Sequence, residues 1–298
     1  MREKPTHLEV YEMLDSLAAL SKDNQSYLSN LRKGYEGEIY VDSLFNQLNC
    51  PHIYLPDCLL KTNRKTFQLD SILITGKGVY LYEIKNYRGE YIFEDHAIKH
   101  YVTGKTIFKP STQLETAETY FKIFLEEYRF NFPVYTNVLF INPEFTLYQM
   151  PPRQNIVLPS MMNKHLKELN KIKTPLNASH KRLGQVLNER HITENVYADI
   201  PEYSYDSLPK GPTCLKCQSF KMKIVERSTL CEECGFKEKN TCVILRKIKE
   251  FKILFPKEKI NTQTIFDWGG KIYLKQTIRK VLIKNYQEMG CGRGTYYI

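Results

Sequence analysis

Two cysteine pairs in the C-terminal third constrain the fold of this chain more than any other feature of its 298 residues. Cys214 and Cys217 form the first pair, Cys231 and Cys234 form the second, and the full pattern is C-x2-C-x13-C-x2-C. Each pair is expected to form a tight knuckle that directs two thiolates at one ion, with Gly235 adopting the positive φ that such a knuckle needs. Four thiolates suit a closed tetrahedral Zn²⁺ site that leaves no coordination position open.

The cysteine pattern therefore predicts a structural zinc ribbon, in which metal binding supplies the folding free energy that a small core cannot supply. An iron–sulfur cluster and four unrelated free thiols are the alternative interpretations. Cys50, Cys58, Cys242 and Cys291 have no metal-binding spacing and are expected to be ordinary thiols.

The sequence contains no membrane or secretion signal. No apolar run approaches the ~18 residues that a membrane-spanning helix needs, and the first residues contain no signal-peptide core. Eight cysteines without such a signal argue against a disulfide framework, because cytosolic thiols stay reduced. We expect a soluble, cytoplasmic protein with no membrane partner.

The positive charge is confined to the C-terminal part of the chain. Residues 210–298 carry 19 Lys and Arg against 8 Asp and Glu, whereas residues 1–209 carry 24 against 25. A neutral body followed by a basic segment is typical of a catalytic or structural domain joined to an anion-binding domain. DNA is the expected partner and RNA is the less favoured one, with a solvated lysine-rich surface as the alternative interpretation.

The hydrophobic pattern predicts a folded core before the cysteine pairs. Predicted strands cover Ile53–Leu60, Phe67–Ile74, Val79–Asn86, Glu90–Phe93 and Val134–Ile141. Predicted helices cover residues 8–31 with a break near 21–24, a new helix from residue 34, and helices at 113–128, 160–172 and 179–189. This order predicts an α/β fold with a mixed sheet flanked by helices. Residues 203–211 are a predicted linker, and the predicted domains are 1–205, 206–241 and 242–298.

A predicted hairpin carries two acids that are candidates for a metal site. With the turn at residues 75–78, Asp70 lies opposite Glu83, and their Cβ atoms are ~4.5–5.5 Å apart on one face. Lys85 projects from the same face because side chains alternate along a strand. Opposed carboxylates repel each other, and a divalent cation such as Mg²⁺ or Mn²⁺ is the simplest partner that offsets the repulsion.

An ion pair between Lys85 and the acids on an exposed hairpin edge is the alternative interpretation. Both interpretations stay open, since a slip of one residue in register moves Asp70 to the other face. Glu38 lies on the apolar stripe of its predicted helix, so it is either a buried structural acid or a third acid of the site. Gln113 is aligned with the apolar face of the later helix and is a candidate polar neighbour.

These residues, in this order, resemble a known family. Asp70, twelve intervening residues and then Glu83-Ile84-Lys85 resemble the D…E-x-K signature of the PD-(D/E)XK nuclease superfamily. The segments GYEGE at 34–38, FQLD at 67–70 and EIKNYRG at 83–89, with the later Gln113, resemble the nuclease-related domain (NERD) family of bacterial proteins. The resemblance covers residues 34–141. Family members often have Asn-Pro before the Gln-bearing helix, where this chain has Lys109-Pro110-Ser111.

The resemblance implies a restriction-endonuclease-like core and a metal-dependent nuclease. It implies that Glu38, Asp70 and Glu83 hold Mg²⁺ or Mn²⁺, that Lys85 orients or deprotonates a water, and that Gln113 supports the site. The sequence hypothesis is therefore hydrolysis of DNA phosphodiester bonds. The alternative hypothesis is a non-catalytic DNA-binding or regulatory protein that retains a nuclease-like fold.

The basic C-terminal residues are predicted to form a winged-helix-like DNA-binding domain. The pattern predicts helices at 243–253, 262–268 and 273–286, followed by a hairpin at 289–298, with Trp268 in the core. The apolar stripe of the third helix is Leu274, Ile278, Val281 and Leu282. The candidate DNA contacts are Lys275, Gln276, Arg279 and Lys280 on its opposite face and Arg293 at the hairpin tip. A small helical cap whose lysines face water is the alternative interpretation.

Overall fold

The computed structural model describes residues 2–18, 20–63, 65–152, 155–192 and 200–298, with the side chains of Ser111 and Arg293 outside the described part. The chain divides into two compact units. The first unit contains Met1–Glu3 and Asn30–Tyr197, and the second unit contains Lys4–Ser29 and Ala198–Ile298. The leading helix thus groups with the C-terminal residues, and the predicted boundaries at 205 and 241 stay predictions.

Helices and strands alternate along the first unit, and short strands precede three helices in the second. The α-helices are α1 Thr6–Ser16, α2 Lys22–Phe45, α3 Pro110–Glu127, α4 Met162–Asn170, α5 Ala178–Arg190, α6 Asn240–Leu254, α7 Thr262–Trp268 and α8 Lys275–Asn285. The strands are β1 His52–Lys61, β2 Thr66–Thr75, β3 Gly78–Lys85, β4 Gly89–Glu94, β5 Ala97–His100, β6 Thr106–Phe108, β7 Val134–Phe140, β8 Phe145–Tyr148, β9 Ile156–Val157, β10 Met222–Val225, β11 Ser228–Cys231, β12 Lys237–Lys239, β13 Glu288–Met289 and β14 Tyr296–Tyr297.

The main sheet of the first unit has the strand order β1-β2-β3-β7-β9. β1, β2 and β3 run antiparallel to one another, whereas β3, β7 and β9 are parallel. The predicted mixed sheet flanked by helices is confirmed. β3 lies in the interior of this sheet, so its side chains are presented to helices on both faces.

Alternation along the strands assigns two apolar faces to this sheet. Ile72 and Leu81 belong to a core cluster with α3 residues such as Phe121 and α5 residues such as Leu183. The odd-numbered Leu73 of β2 belongs instead to a cluster with α2 and α4. A second sheet, ordered β6-β5-β4-β8, extends the first unit beyond the end of β3.

Helix α2 differs from its predicted boundaries. The sequence predicts a new helix from Gly34, but α2 is continuous from Lys22 to Phe45. Glycine costs about 1 kcal/mol relative to alanine in a helix interior, which is less than the packing of an amphipathic helix contributes. Val41 and Phe45 are fully buried, and this burial outweighs the weak propensity of the glycines.

The second unit contains a small three-stranded sheet, β10-β11-β12, and a cluster of helices. α7 has the predicted bounds, and α6 and α8 lie within three residues of theirs. β13 and β14 pair as the predicted hairpin. The helices share one core in which Trp268 is fully buried, as predicted.

Two expectations for the second unit are wrong. Leu274 was expected in the apolar stripe of α8, but it is the N-cap residue of that helix and is 74% exposed. Residues 203–211 were expected to be a linker, but Tyr203, Tyr205 and Leu208 pack on the core of the second unit. Among the described residues, every helix is too short or too polar to span a bilayer.

Candidate functional site

Asp70 and Glu83 lie where β2 and β3 separate. Ile74 pairs with Val79 and Ile72 with Leu81, as predicted, and the ladder continues to Ser71 opposite Tyr82. The turn is shorter than expected, because Thr75 pairs with Gly78. The next residues are Asp70 and Glu83, so the predicted register brings the two acids to the last step of the hairpin.

The Asp70 carboxylate replaces the backbone ladder at that step. Its Oδ2 accepts a 2.7 Å hydrogen bond from the backbone N–H of Ile84. A side chain thereby satisfies a donor that the sheet leaves unpaired, and the carboxylate is fixed against β3. The other oxygen, Oδ1, accepts no hydrogen bond from the described residues and is available to a ligand.

Lys85 contacts Glu83 directly. Its Nζ lies 2.6 Å from Glu83 Oε1, and the two side chains are 19% and 23% exposed. Nζ also lies 5.2 Å from the centre of the Phe108 ring. Burial lowers the pKa of Lys85, but the charge of Glu83 and the hydrogen bond to it raise the pKa by more. Lys85 is therefore a protonated ammonium at neutral pH.

The exposed-edge interpretation of this ion pair does not match the position of β3. β3 pairs with β2 on one side and with β7 along its whole length on the other, up to Lys85 opposite Phe140. Glu83 and Lys85 are therefore partly buried groups at the end of an interior strand. A buried cluster of charges needs compensation that a solvated edge does not.

Asp70 carries an unfavourable charge. Burial raises its pKa well above 3.8, and the charges of Glu83 and then Glu38 raise it further, while the hydrogen bond from Ile84 lowers it. Shifts of this origin, burial combined with like charges, are typical of sites that hold a cation or a proton.

Glu38 approaches these acids from α2 and is bound by an arginine. Nη1 of Arg2 lies 2.8 Å from Glu38 Oε2, and the Arg2 side chain is only 1% exposed. Burial raises the pKa of Glu38 to about 7, with Arg2 lowering it and Asp57, Asp42 and Glu83 raising it. Glu38 is thus a largely buried acid with a raised pKa, and its role as a third acid of the site stays a prediction.

Arg2 joins α2 to β2 through several hydrogen bonds. Its guanidinium donates to both carboxylate oxygens of Asp42, at 3.2 and 3.3 Å, and to the backbone oxygen of Asp70 at 2.7 Å. Tyr54 donates to Asp42 and is 2.8 Å from Ser71 Oγ. Sequence reasoning missed Arg2, Asp42, Tyr54 and Ser71, because a contact across 68 positions of sequence leaves no local pattern.

The three acids do not form a compact ligand set in the described residues. The cysteines are the only described group of three or more metal-binding side chains whose ligand atoms all lie within 4.8 Å of one another. Glu83 lies on the same face as Leu81, towards α3 and α5, whereas α2 packs on the other face, although the charge of Glu38 still acts on Asp70 and Glu83. Asp70 and Glu83 are donor groups that suit a hard cation, whereas Glu38 is already paired with Arg2.

Gln113 lies in the first turn of α3, and its side chain is exposed. Phe108 lies two positions before the start of this helix, and its ring contacts Lys85. The start of α3 is thus near the charged end of β3, but no described contact joins Gln113 to the acids. Its supporting role stays a prediction.

The four cysteines converge. Cys214 Sγ lies 3.5 Å from Cys234 Sγ, and Cys217 Sγ lies 3.6 Å from Cys231 Sγ. A Zn–S bond of about 2.3 Å implies sulfur–sulfur edges of about 3.8 Å in a tetrahedron. The donor set and its spacing therefore fit one zinc ion.

Both cysteine knuckles have the same backbone geometry. Gln218 donates its N–H to the Cys214 carbonyl at 2.9 Å, and Gly235 donates to the Cys231 carbonyl at 3.0 Å. Gln218 and Gly235, which directly follow the second cysteine of each pair, have φ of 57° and 71°. The expected positive φ at Gly235 is confirmed, and its equivalent in the first knuckle is the non-glycine Gln218.

The predicted DNA-contacting face of α8 is solvent-exposed. Ile278, Val281 and Leu282 are buried in the helical core. The exposed residues are Lys275, Gln276, Arg279 and Lys280. The Arg293 side chain lies outside the described part of the chain, although residues 292–294 form a short 3-10 turn between β13 and β14.

Comparison with known proteins identifies one part of the chain. Residues 33–141 match the family model described as Nuclease-related domain, NERD. This range begins in α2 and ends just after β7, and it contains Glu38, Asp70, Glu83, Lys85 and Gln113. No curated protein and no solved structure gives a match.

Replacing Asp70 with asparagine should stabilise the first unit at high pH. A carboxyl whose folded-state pKa is raised binds protons more tightly in the folded chain, so stability is lost as pH rises above the unfolded value of 3.8. Glu38 adds to this loss between pH 4.5 and about 7. Asp70→Asn should therefore raise the free energy of unfolding at pH 8 by about 1 kcal/mol, a usual size for stabilising changes at functional sites.

The test is urea denaturation of wild type and Asp70→Asn at pH 5 and pH 8, without added divalent cation. The gain should be larger at pH 8 than at pH 5. The matched control is Glu168→Gln, an exposed acid paired with Lys171, whose effect should be small at both pH values. A variant that is less stable than wild type at pH 8 would show that the folded chain favours the charged form of Asp70.

Removing one cysteine ligand should abolish zinc binding and unfold the ribbon. The purified chain is expected to contain one zinc per molecule by elemental mass spectrometry. Cys231→Ser should lose this zinc. It should also lose the cooperative unfolding transition of the second unit, because the binding free energy of a structural Zn²⁺, about 10–16 kcal/mol, contributes to folding of the ribbon. Cys242→Ser is the control, since Cys242 is exposed and outside the cluster. Full zinc content in Cys231→Ser would contradict a four-thiolate site.

Proposed function

We propose that the protein is a metal-dependent nuclease that hydrolyses DNA phosphodiester bonds in its first unit and binds DNA through its second unit. One observation carries the proposal. Asp70, Glu83 and Lys85 meet at the point where β2 and β3 separate, inside the segment that matches the nuclease-related domain. An acid of raised pKa and a second carboxylate beside a protonated lysine are suited to phosphoryl chemistry.

Asp70 and Glu83 would hold the metal through their free oxygens, with Glu38 as a third ligand once it leaves Arg2. Bound Mg²⁺ or Mn²⁺ would supply Lewis-acid polarisation of a phosphoryl oxygen and acidification of a water. The hydrogen bond from Ile84 orients the Asp70 carboxylate and leaves its Oδ1 without a hydrogen bond from the described residues. Orientation by a backbone donor is the usual support for a ligand carboxylate.

Lys85 supports the reaction as a fixed positive charge. Its raised pKa disfavours the role of a general base, which requires a neutral amine. The Glu83 contact and the Phe108 ring hold the ammonium in place before substrate binds. A pre-positioned ammonium stabilises the negative charge that develops on the phosphoryl oxygens in the transition state.

The exposed face of α8 is the proposed DNA-binding surface. Lys275, Arg279 and Lys280 lie on a helix whose opposite face is buried, and the order α6, α7, α8 and hairpin is typical of winged-helix domains. In such domains the third helix enters the major groove. DNA is favoured over RNA because the deep, narrow major groove of RNA excludes a helix.

A non-catalytic DNA-binding or regulatory protein is the second candidate function. The ion pair between Arg2 and Glu38 favours it, because an arginine already neutralises the acid that would complete the metal site. The two functions differ in their need for a divalent cation. The nuclease requires the cation to cleave DNA, whereas the regulatory protein has DNA binding as its activity and binds DNA equally well without the cation.

Substitution of either hairpin acid should abolish metal-dependent DNA cleavage. Asp70→Asn and Glu83→Gln should each lower the cleavage rate of plasmid DNA in Mn²⁺ by roughly 10²-fold or more, and Lys85→Met by a similar factor. Gel assays on the full chain measure the rate, and DNA affinity is measured in parallel. Glu168→Gln is the control and should cleave like wild type.

Loss of cleavage with unchanged DNA affinity would support catalysis by these residues. Cleavage that survives in Asp70→Asn combined with Glu83→Gln would show that another site or a contaminant is responsible. Absence of cleavage in wild type with every divalent metal, together with metal-independent DNA binding, would establish the second candidate.

DNA affinity should depend steeply on salt through α8. The logarithm of the association constant should fall with the logarithm of salt concentration by about 0.9 for each phosphate contacted. Arg279→Ala should reduce this slope by about 1, whereas Lys181→Ala on α5 should leave it unchanged. Fluorescence anisotropy at several salt concentrations measures both slopes. An unchanged slope in both Arg279→Ala and Lys280→Ala would exclude the exposed face of α8 as the DNA-binding surface.

A further inference from the structure

The first unit contains a cavity of about 430 Å³ between α2 and the segments that follow β3 and β7. Gly37 and Tyr40 of α2 form one wall, and Ile141 and Met162 belong to the others. Its volume is within the range of about 300–1,000 Å³ that is usual for small-molecule sites. The reaction proposed above does not use this cavity.

Gly37 brings the helix backbone to the cavity wall. A Cβ atom at this position would lie 3.0 Å from the Asn86 Cβ and 3.0 Å from the Ile141 Cδ1. A side chain at this position would require Asn86 and Ile141 to shift by a few tenths of an ångström. The glycine therefore favours the close approach of α2 to the segments that follow β3 and β7.

Two asparagine side chains at the cavity are fixed by hydrogen bonds. Asn142 Nδ2 donates to Asn86 Oδ1 at 2.9 Å, and Asn86 Nδ2 donates to the Lys33 carbonyl at 2.7 Å. Asn142 Oδ1 accepts from the backbone N–H of Glu144 at 3.0 Å. These amides are therefore held in one orientation before a ligand binds.

Glu36 and Tyr40 are the accessible groups of the cavity. They are four residues apart on α2 and so lie on the same helix face. Tyr40 is 47% exposed, and the exposed Glu36 carboxylate forms no ion pair or hydrogen bond with the described residues. An aromatic ring and an unpaired carboxylate thus border one apolar space.

The cavity and the acidic site share two neighbouring positions in the chain. Asn86 directly follows Lys85, and Gly37 directly precedes Glu38. Both cavity segments leave the carboxyl ends of the parallel strands β3 and β7, the edge at which open α/β sheets bind ligands.

We propose that this cavity binds an unpaired nucleobase of the substrate, with guanine preferred. The proposal rests on the proposed nuclease function for its biological context. The negative charge of Glu36 repels a phosphate, so the base is the part of a nucleotide that the cavity accepts. Tyr40 provides a stacking surface, which every base can use.

Guanine is the base that matches a free carboxylate. Its N1–H and N2–H groups are adjacent donors that pair with the two oxygens of Glu36 in a bidentate arrangement. Adenine and cytosine offer one exocyclic amino group on this edge, and thymine and uracil offer one imino group. The donors of guanine are free only when the base is unpaired, so the substrate class is single-stranded or locally opened nucleic acid.

The test is binding of the four uncharged ribonucleosides to the intact chain, measured by saturation-transfer NMR with competition. Nucleosides contain no phosphate, so the measurement is independent of cleavage. Guanosine should bind tightest. Tyr40→Ala should weaken all nucleosides by roughly tenfold, and Glu36→Gln should remove the preference for guanosine. Tyr101→Ala, which alters another exposed tyrosine outside the cavity, should have no effect.

Each outcome separates the two proposals. Guanosine binding that Tyr40→Ala weakens supports the base site even if the chain cleaves no nucleic acid, in which case only the nuclease proposal fails. Equal binding of all nucleosides, binding unaffected by Tyr40→Ala and Glu36→Gln, or no binding would each overturn the base site. Metal-dependent cleavage combined with any of these results would leave the nuclease proposal intact.

Discussion

The hydrogen bond from the Ile84 amide to the Asp70 carboxylate is the interaction on which the candidate site depends. It ends the antiparallel ladder between β2 and β3 and replaces it with a charged side chain. The strands separate at that step, which creates room for the Glu83 and Lys85 side chains at the end of an interior strand. A shorter residue at position 70 would leave the buried N–H of Ile84 unpaired. A neutral residue of the same length would remove the charge that the site needs.

Two cations pair with acids around the candidate site. Lys85 contacts Glu83, and Arg2 binds Glu38 and Asp42 while it also donates to the Asp70 backbone. These two cations pair with Glu83, Glu38 and Asp42, whereas the Asp70 carboxylate forms no ion pair among the described residues. Arg2 contacts one oxygen of Glu38, so a divalent metal that binds all three candidate acids competes with Arg2 for that carboxylate. This arrangement connects the nuclease and regulatory proposals to a single ion pair.

Much of this arrangement could be predicted from sequence where the signal is local. The register of the β2–β3 hairpin follows from alternating apolar residues and a glycine-containing turn, and the cysteine knuckles follow from their spacing. Arg2 could not be predicted, because its partners are 36 to 69 positions away and a single arginine has no periodicity. The continuity of α2 through Gly34 and the packing of Tyr205 depend on tertiary contacts that override local propensity.

Crystallographic location of Mn²⁺ by its anomalous scattering is the most direct test of the central claim, that the separated hairpin holds a cation. The account predicts one anomalous peak in contact with the carboxylate oxygens of Asp70 and Glu83 in crystals grown above pH 7, and no such peak in Asp70→Asn. Crystals with Mn²⁺ bound only elsewhere, and with both carboxylates unchanged beside Ile84 and Lys85, would contradict it.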